Sequence, residues 1–77
     1  MTKIITKKQL EEIEEAYFLD REEAFGLLEE YADIKAKPFT AWMFYDAADN
    51  YIGDSDNYSI RDLLDNAYVS VVEEEGE

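Results

Sequence analysis

Three helix-start signatures punctuate this chain, and they constrain its fold more than any other feature. Thr6 with Gln9, Asp20 with Glu23, and Ser59 with Asp62 each pair a short polar side chain with a second acceptor three residues on. The first oxygen accepts from an amide that the helix leaves free, and the second group reaches back to the cap. Ile5 and Leu10 flank the first signature as a hydrophobic staple. The spacing predicts a helix over 6–17, with Leu10, Ile13 and Tyr17 on one face and Glu11, Glu12, Glu14 and Glu15 on the others. A second helix is expected over 20–33, where Ala24, Leu27, Leu28 and Tyr31 keep helical spacing and Phe25 and Ala32 widen the stripe. Gly26 within it costs about 1 kcal/mol against alanine and is expected to admit a close neighbour. The short Tyr17-Phe18-Leu19 stretch makes the two helices an antiparallel hairpin.

Pro38 restricts Lys37 to extended geometry and ends the helical region, so Lys35-Ala36-Lys37-Pro38 reads as a linker. Phe39 to Tyr45 is aromatic-rich and reads as a strand covered on both faces. Asp46 to Asn50 is a turn, Tyr51-Ile52-Gly53 a partner strand, and Asp54 to Asn57 a polar loop. The third signature opens a short helix through Ile60, Leu63 and Leu64, which Asn66 is suited to end. Tyr68 to Val72 is a last strand. These elements predict an α+β fold in the order ααββαβ, with the helical hairpin packed on a small, mostly antiparallel sheet. Trp42, Phe44, Leu28 and Leu64 belong to the expected core, together with Phe39 and Phe25. Residues 1–72 are expected to form a single domain, and residues 73–77 a disordered acidic tail.

Charge narrows the choice of function. Twenty acidic residues against seven basic ones give a net charge of −13. From Pro38 onward ten acids face one base, Arg61. Such a chain repels nucleic acid and anionic membranes and suits a basic partner. Cysteine is absent, so disulfides and thiolate metal sites are excluded. No apolar run approaches the roughly 20 residues of a membrane helix. The first eight residues lack the apolar stretch of a signal peptide. A cytoplasmic location is the expectation.

Catalysis is disfavoured by what is missing. The chain has no histidine, the commonest general base near neutral pH, and no cysteine nucleophile. Ser55, Ser59 and Ser70 have no histidine to activate them and no lysine close in sequence. Gly26, Gly53 and Gly76 are isolated and build no phosphate-cradling loop. Asp54, Asp56, Asp62 and Asp65 match positions 1, 3, 9 and 12 of a calcium-loop count. Tyr58 and Ser59 then fall where a ligand and a glycine are needed, so an acidic turn before a capped helix is the better reading. A non-enzymatic protein with no cofactor and no metal is expected.

The acid excess exceeds the magnitude of roughly 2 to 8 that keeps a small domain soluble. One use for it is mimicry of nucleic acid, whose regular phosphates are matched by lysine and arginine on the proteins that bind it. Glu11 and Glu15 lie one helical turn apart, about 6 Å, comparable to the spacing of phosphates along a strand. Asp46, Asp49, Asp54, Asp56, Asp62 and Asp65 form a second candidate group, with charges held close to the backbone. Tyr51 and Tyr58 lie among these acids and are candidate interface anchors.

The chain resembles the small acidic inhibitors made by phages and other mobile elements, which include anti-CRISPR proteins and antirestriction DNA mimics. Its short length, acid excess, lack of cysteine and acidic turns from Asp46 to Asp56 carry the resemblance. No residue motif assigns it to one family, so no site residues come with it. The resemblance implies a protein in the cytoplasm of a host cell that blocks the nucleic-acid-binding surface of a basic protein, a CRISPR effector nuclease foremost. The alternative is an interaction module or regulatory subunit that binds through apolar surface around Phe18, Trp42 or Tyr51.

Overall fold

The computed structural model describes residues 3–73. Its elements are β1 (Lys3–Thr6), α1 (Lys7–Leu19), α2 (Arg21–Ala32), β2 (Lys35–Pro38), β3 (Trp42–Tyr45), β4 (Tyr51–Asp54), α3 (Ile60–Asn66) and β5 (Val69–Val72). The fold is α+β, with the α1–α2 pair packed against an antiparallel sheet of order β2-β3-β4. The expected order ααββαβ is present with two strands added, β1 at the start and β2 after the hairpin.

The helix starts follow from the caps. Thr6 Oγ1 accepts from the Gln9 amide at 3.1 Å, and Gln9 Oε1 accepts from the Thr6 amide at 2.9 Å. Ile5 and Leu10, the staple pair, are both buried. Ser59 and Asp62 form the same reciprocal box at the start of α3. Asp20 departs from the pattern: it accepts from the Glu22 amide at 3.1 Å and makes no reciprocal box with Glu23. It is also the single residue between the first two helices, ending α1 through its amide and starting α2 through its carboxylate. The antiparallel run of the hairpin is visible in its cross-contacts. Tyr17 meets Phe25 at a centroid distance of 6.1 Å, and farther along Tyr31 donates to Glu12 at 2.9 Å.

The residues expected to be a linker, 35–38, form an edge strand. Lys35 to Pro38 pairs with Tyr45 to Trp42. An edge strand tolerates proline and lysine because one of its sides needs no ladder bonds, and such residues protect it from further pairing. β1 and β5 form a separate two-stranded parallel sheet, Lys3 opposite Val69 through Thr6 opposite Val72. Ile5 and Val69 turn their side chains into the core.

One core joins both sheets and all three helices, running from Ile5, Leu10 and Ile13 through Phe25, Leu28 and Ile34 to Phe44, Leu63, Leu64 and Val69. Phe25 is its aromatic hub, 4.7 Å from Trp42 and 5.3 Å from Phe44 between ring centroids. Leu28, Phe44 and Leu64 are buried as expected, and Trp42 is half-buried. Phe39 corrects the sequence reading: it is 77% exposed in the turn between β2 and β3. An aromatic next to Pro38 at a hairpin tip has no layer to cover it.

Two further expectations change. Gly26 admits no neighbour: a methyl group there would meet nothing within 4 Å. Asn66 does not end α3 in a left-handed conformation. It is the last helical residue, and Tyr68 takes the positive φ of 59°. The Asn66 side chain instead donates to the Ile52 carbonyl. From Glu74 on, the expected acidic tail lies outside the described residues. No helix among the described residues is long and apolar enough to cross a membrane.

Candidate partner-binding surface

Among the described residues no charged side chain is buried, so the acids all lie at the surface. Most of the bases are engaged locally. Lys3 pairs with Asp33, Lys35 with Asp49 and Arg61 with Glu14. Arg21 and Lys37 lie over the rings of Tyr17 and Tyr45. Exposed pairs like these contribute little stability, but they leave few cations to offset the remaining carboxylates.

The aspartates of the second candidate group do different things. Asp46 folds back into the turn between β3 and β4, where its Oδ1 accepts from the amides of Ala48 at 2.9 Å and Asn50 at 2.8 Å. These bonds, that from Asn50 foremost, hold its carboxyl below the usual aspartate range. Asp49 takes φ 65° in the same turn and pairs with Lys35 at 3.3 Å. Asp62 is committed to the α3 cap. Asp56 and Asp65 are exposed, and their side chains make no hydrogen bond among the described residues.

Asp54 is the centre of the one compact group. Its Oδ1 accepts from the amides of Asp56 at 3.0 Å and Asn57 at 2.9 Å, and its Oδ2 accepts from the Tyr51 hydroxyl at 3.0 Å. Partial burial pushes the Asp54 carboxyl up. The donors from Asn57, Tyr51 and Asp56 together outweigh burial and hold it below the usual range. Tyr51 shows the reciprocal effect: burial and then the bond to Asp54 raise its phenol. The Tyr58 ring sits against Gly53, where a methyl group would come within 2.8 Å of its Cγ. Gly53 has φ +151°, and the bulge that leaves Ile52 unpaired in β4 lies beside it. Tyr51 and the Asp54–Asp56 loop therefore share one surface, where the Asp54 carboxylate is bonded to an exposed phenol, and Tyr58 packs on Gly53 next to it in the chain.

The other predicted residues lie elsewhere. Glu11 and Glu15 are exposed on α1, which packs on α2, β1 and β5, whereas Asp46 to Asp56 belong to the β3–β4 hairpin. Asp46 lies in the turn before β4 and Asp54 is the last residue of β4, so they stand at opposite ends of that strand, roughly 10 Å or more apart at the rise of a strand. Among the described residues no group of three or more acids is gathered closely enough to hold a metal ion.

Sequence reasoning named Glu15 and Phe18 on the helical hairpin but missed the groove beside them. Ala16, Leu19 and Leu27 floor a groove between α1 and α2, and Glu12, Glu15 and Glu23 rim it. Leu19 is 72% exposed and its neighbour Phe18 87%. The signal was present in the spacing of Glu12, Ala16 and Leu19 at i, i+4 and i+7.

No protein-family model matches the chain, no curated protein matches it, and no solved structure matches it.

Proposed function

We propose that this chain is a non-enzymatic inhibitor that binds a basic nucleic-acid-processing protein, a CRISPR effector nuclease foremost, and occupies its nucleic-acid-binding surface by mimicry. The observation that carries this reading is the Asp54 carboxylate, fixed by the amides of Asp56 and Asn57 and by the exposed Tyr51 hydroxyl. A mimic needs negative charge whose position is set before the partner arrives, since ordering it on binding costs affinity. Asp54 and Asp46 meet that need through their own loops, and the tyrosines add rigid contact area of the kind that anchors interfaces. Asp49, Asp56, Asp62 and Asp65 extend the negative field around them.

The test is inhibition of DNA cleavage by a panel of CRISPR effectors and restriction nucleases, with DNA as competitor and salt varied. Asp56→Lys combined with Asp65→Lys is the informative variant, because neither side chain supports the fold. Inhibition that DNA and salt both relieve, and that the double variant loses, supports the reading. A panel left wholly active removes it.

The exposure of Phe18 and Leu19 favours a second reading, an interaction module that binds through apolar surface. Its complexes would resist salt, since apolar burial is not screened.

A further inference from the structure

We infer that the groove between α1 and α2 is a docking site for a basic amphipathic helix of the partner protein; this deepens the reading of the chain as a ligand for basic proteins and rests on it. Glu12, Glu15, Ala16 and Leu19 lie at i, i+3, i+4 and i+7, so they share one face of α1. Glu23 and Leu27 lie at i and i+4 on the facing side of α2. The groove has a volume of about 160 Å³ above its apolar floor, the space of one large side chain. The Tyr31 hydroxyl donates to Glu12 at 2.9 Å and so fixes one rim carboxylate.

Charge identifies the occupant. The rim carries three carboxylates and no base, and none of the ion pairs among the described residues involves Glu12, Glu15 or Glu23. α1 is charged against its own stability. Lys7 and Lys8 stand in its first turn, where the helix dipole disfavours cations, and no base stands in its last. Glu12 and Glu15 repel at i, i+3, as do Glu11 and Glu15 at i, i+4. Exposed Phe18 and Leu19 add an apolar cost on the same turn. Of these, the Glu12–Glu15 repulsion and exposed Leu19 fall on the groove face, and local rules broken there mark a surface kept for something other than folding. A helix that seats one leucine-sized anchor on Ala16, Leu19 and Leu27, with lysine or arginine flanking it, satisfies the floor and the rim at once.

The experiment titrates the isotope-labelled full chain with a synthetic amphipathic helix, leucine on one face and lysine on the other, and follows backbone amide shifts. The control peptide carries glutamate in place of lysine. The expected shifts gather on Glu12, Glu15, Ala16, Leu19, Glu23 and Leu27. Leu19→Ser, at a position too exposed to matter for folding, is expected to weaken the peptide about tenfold, the scale of losing one buried leucine's contact. Phe39→Ala, at the exposed turn between β2 and β3 and away from both surfaces, is expected to leave the affinity unchanged. Shifts centred on Tyr51 and Tyr58, or spread over the whole acidic surface, overturn the groove and leave the basic-partner reading standing. A lysine peptide that binds nowhere removes both.

Discussion

The side-chain amide of Asn66 donates to the Ile52 carbonyl at 2.8 Å, tying the end of α3 to the bulge in β4. The bulge leaves Ile52 without a ladder partner, and its carbonyl is satisfied by a side chain 14 residues away. Asn66→Ala is expected to cost about 1–2 kcal/mol, because the part-buried acceptor then has no donor. Asn66→Asp is expected to cost at least as much, since it sets an acceptor against an acceptor. The midpoint of urea unfolding measures both. An unchanged midpoint for the alanine variant would show that water takes the place of the amide.

The two glycines of the described residues make opposite demands. Gly26 lies in the middle of α2 with nothing within 4 Å of a would-be Cβ, so Gly26→Ala is expected to stabilise by about 0.5–1 kcal/mol. Gly53 has φ +151°, and a Cβ there would come within 2.9 Å of the Leu63 side chain. Gly53→Ala combines backbone strain with overpacking and is expected to cost more than about 2 kcal/mol. Thermal unfolding of the pair decides it; shifts of the same sign would contradict the bulge geometry.

What the sequence made legible, and what it hid, divide along the range of the interactions. The helix starts were readable because a cap is a contact between residues three apart, as at Thr6 and Gln9. β1 was not, because Lys3–Thr6 acquires strand geometry only by pairing with Val69–Val72 at the far end of the chain. β2 was hidden by its lysines and proline, which look like a linker locally and like an edge in a sheet. In the candidate site, sequence placed carboxylates in acidic turns but could not tell which of them their own loops engage. Asp46, Asp54 and Asp62 spend their acceptors on their own backbone, a role that aspartate at the head of a turn or helix commonly takes. Asp56 and Asp65 are left as exposed charges that no hydrogen bond among the described residues engages.

The loop carboxylates predict an acid-sensitive fold. Asp46 and Asp54 have folded pKa values below their unfolded ones. Their contribution is therefore fully present above the unfolded aspartate value of about 3.9 and is lost as pH falls through the lower, folded value. Asp46→Asn and Asp54→Asn keep an acceptor oxygen in place and remove the titration. Each is expected to flatten the loss of stability below about pH 4 relative to the parent chain. Tyr51 works in the other direction: its raised pKa makes its contribution present below about pH 10 and lost above it. Tyr51→Phe is expected to remove that alkaline loss. Urea midpoints across pH test all three, and parallel curves for parent and variants would dissociate these bonds from stability.

Trp42 is the single tryptophan of the chain, and its ring lies 4.7 Å from that of Phe25, tilted by 53°. Phe25 also touches Phe44 and Tyr17, so one side chain holds β3 against the hairpin. Phe25→Ala removes three aromatic contacts and opens a cavity, and is expected to cost about 3–5 kcal/mol. For a small domain that is a large share of the total stability. Phe25→Leu keeps most of the volume and is expected to lose less, mainly the aromatic geometry of about 0.5–1.5 kcal/mol per pair. Trp42 emission reports the same event without unfolding the protein. It is expected to shift to the red in Phe25→Ala, as water reaches the half-buried indole, and to stay near the parent value in Phe39→Ala, because Phe39 supports nothing in the core. A red shift of equal size in both variants would mean that the tip of the β2–β3 hairpin, and not Phe25, covers the tryptophan.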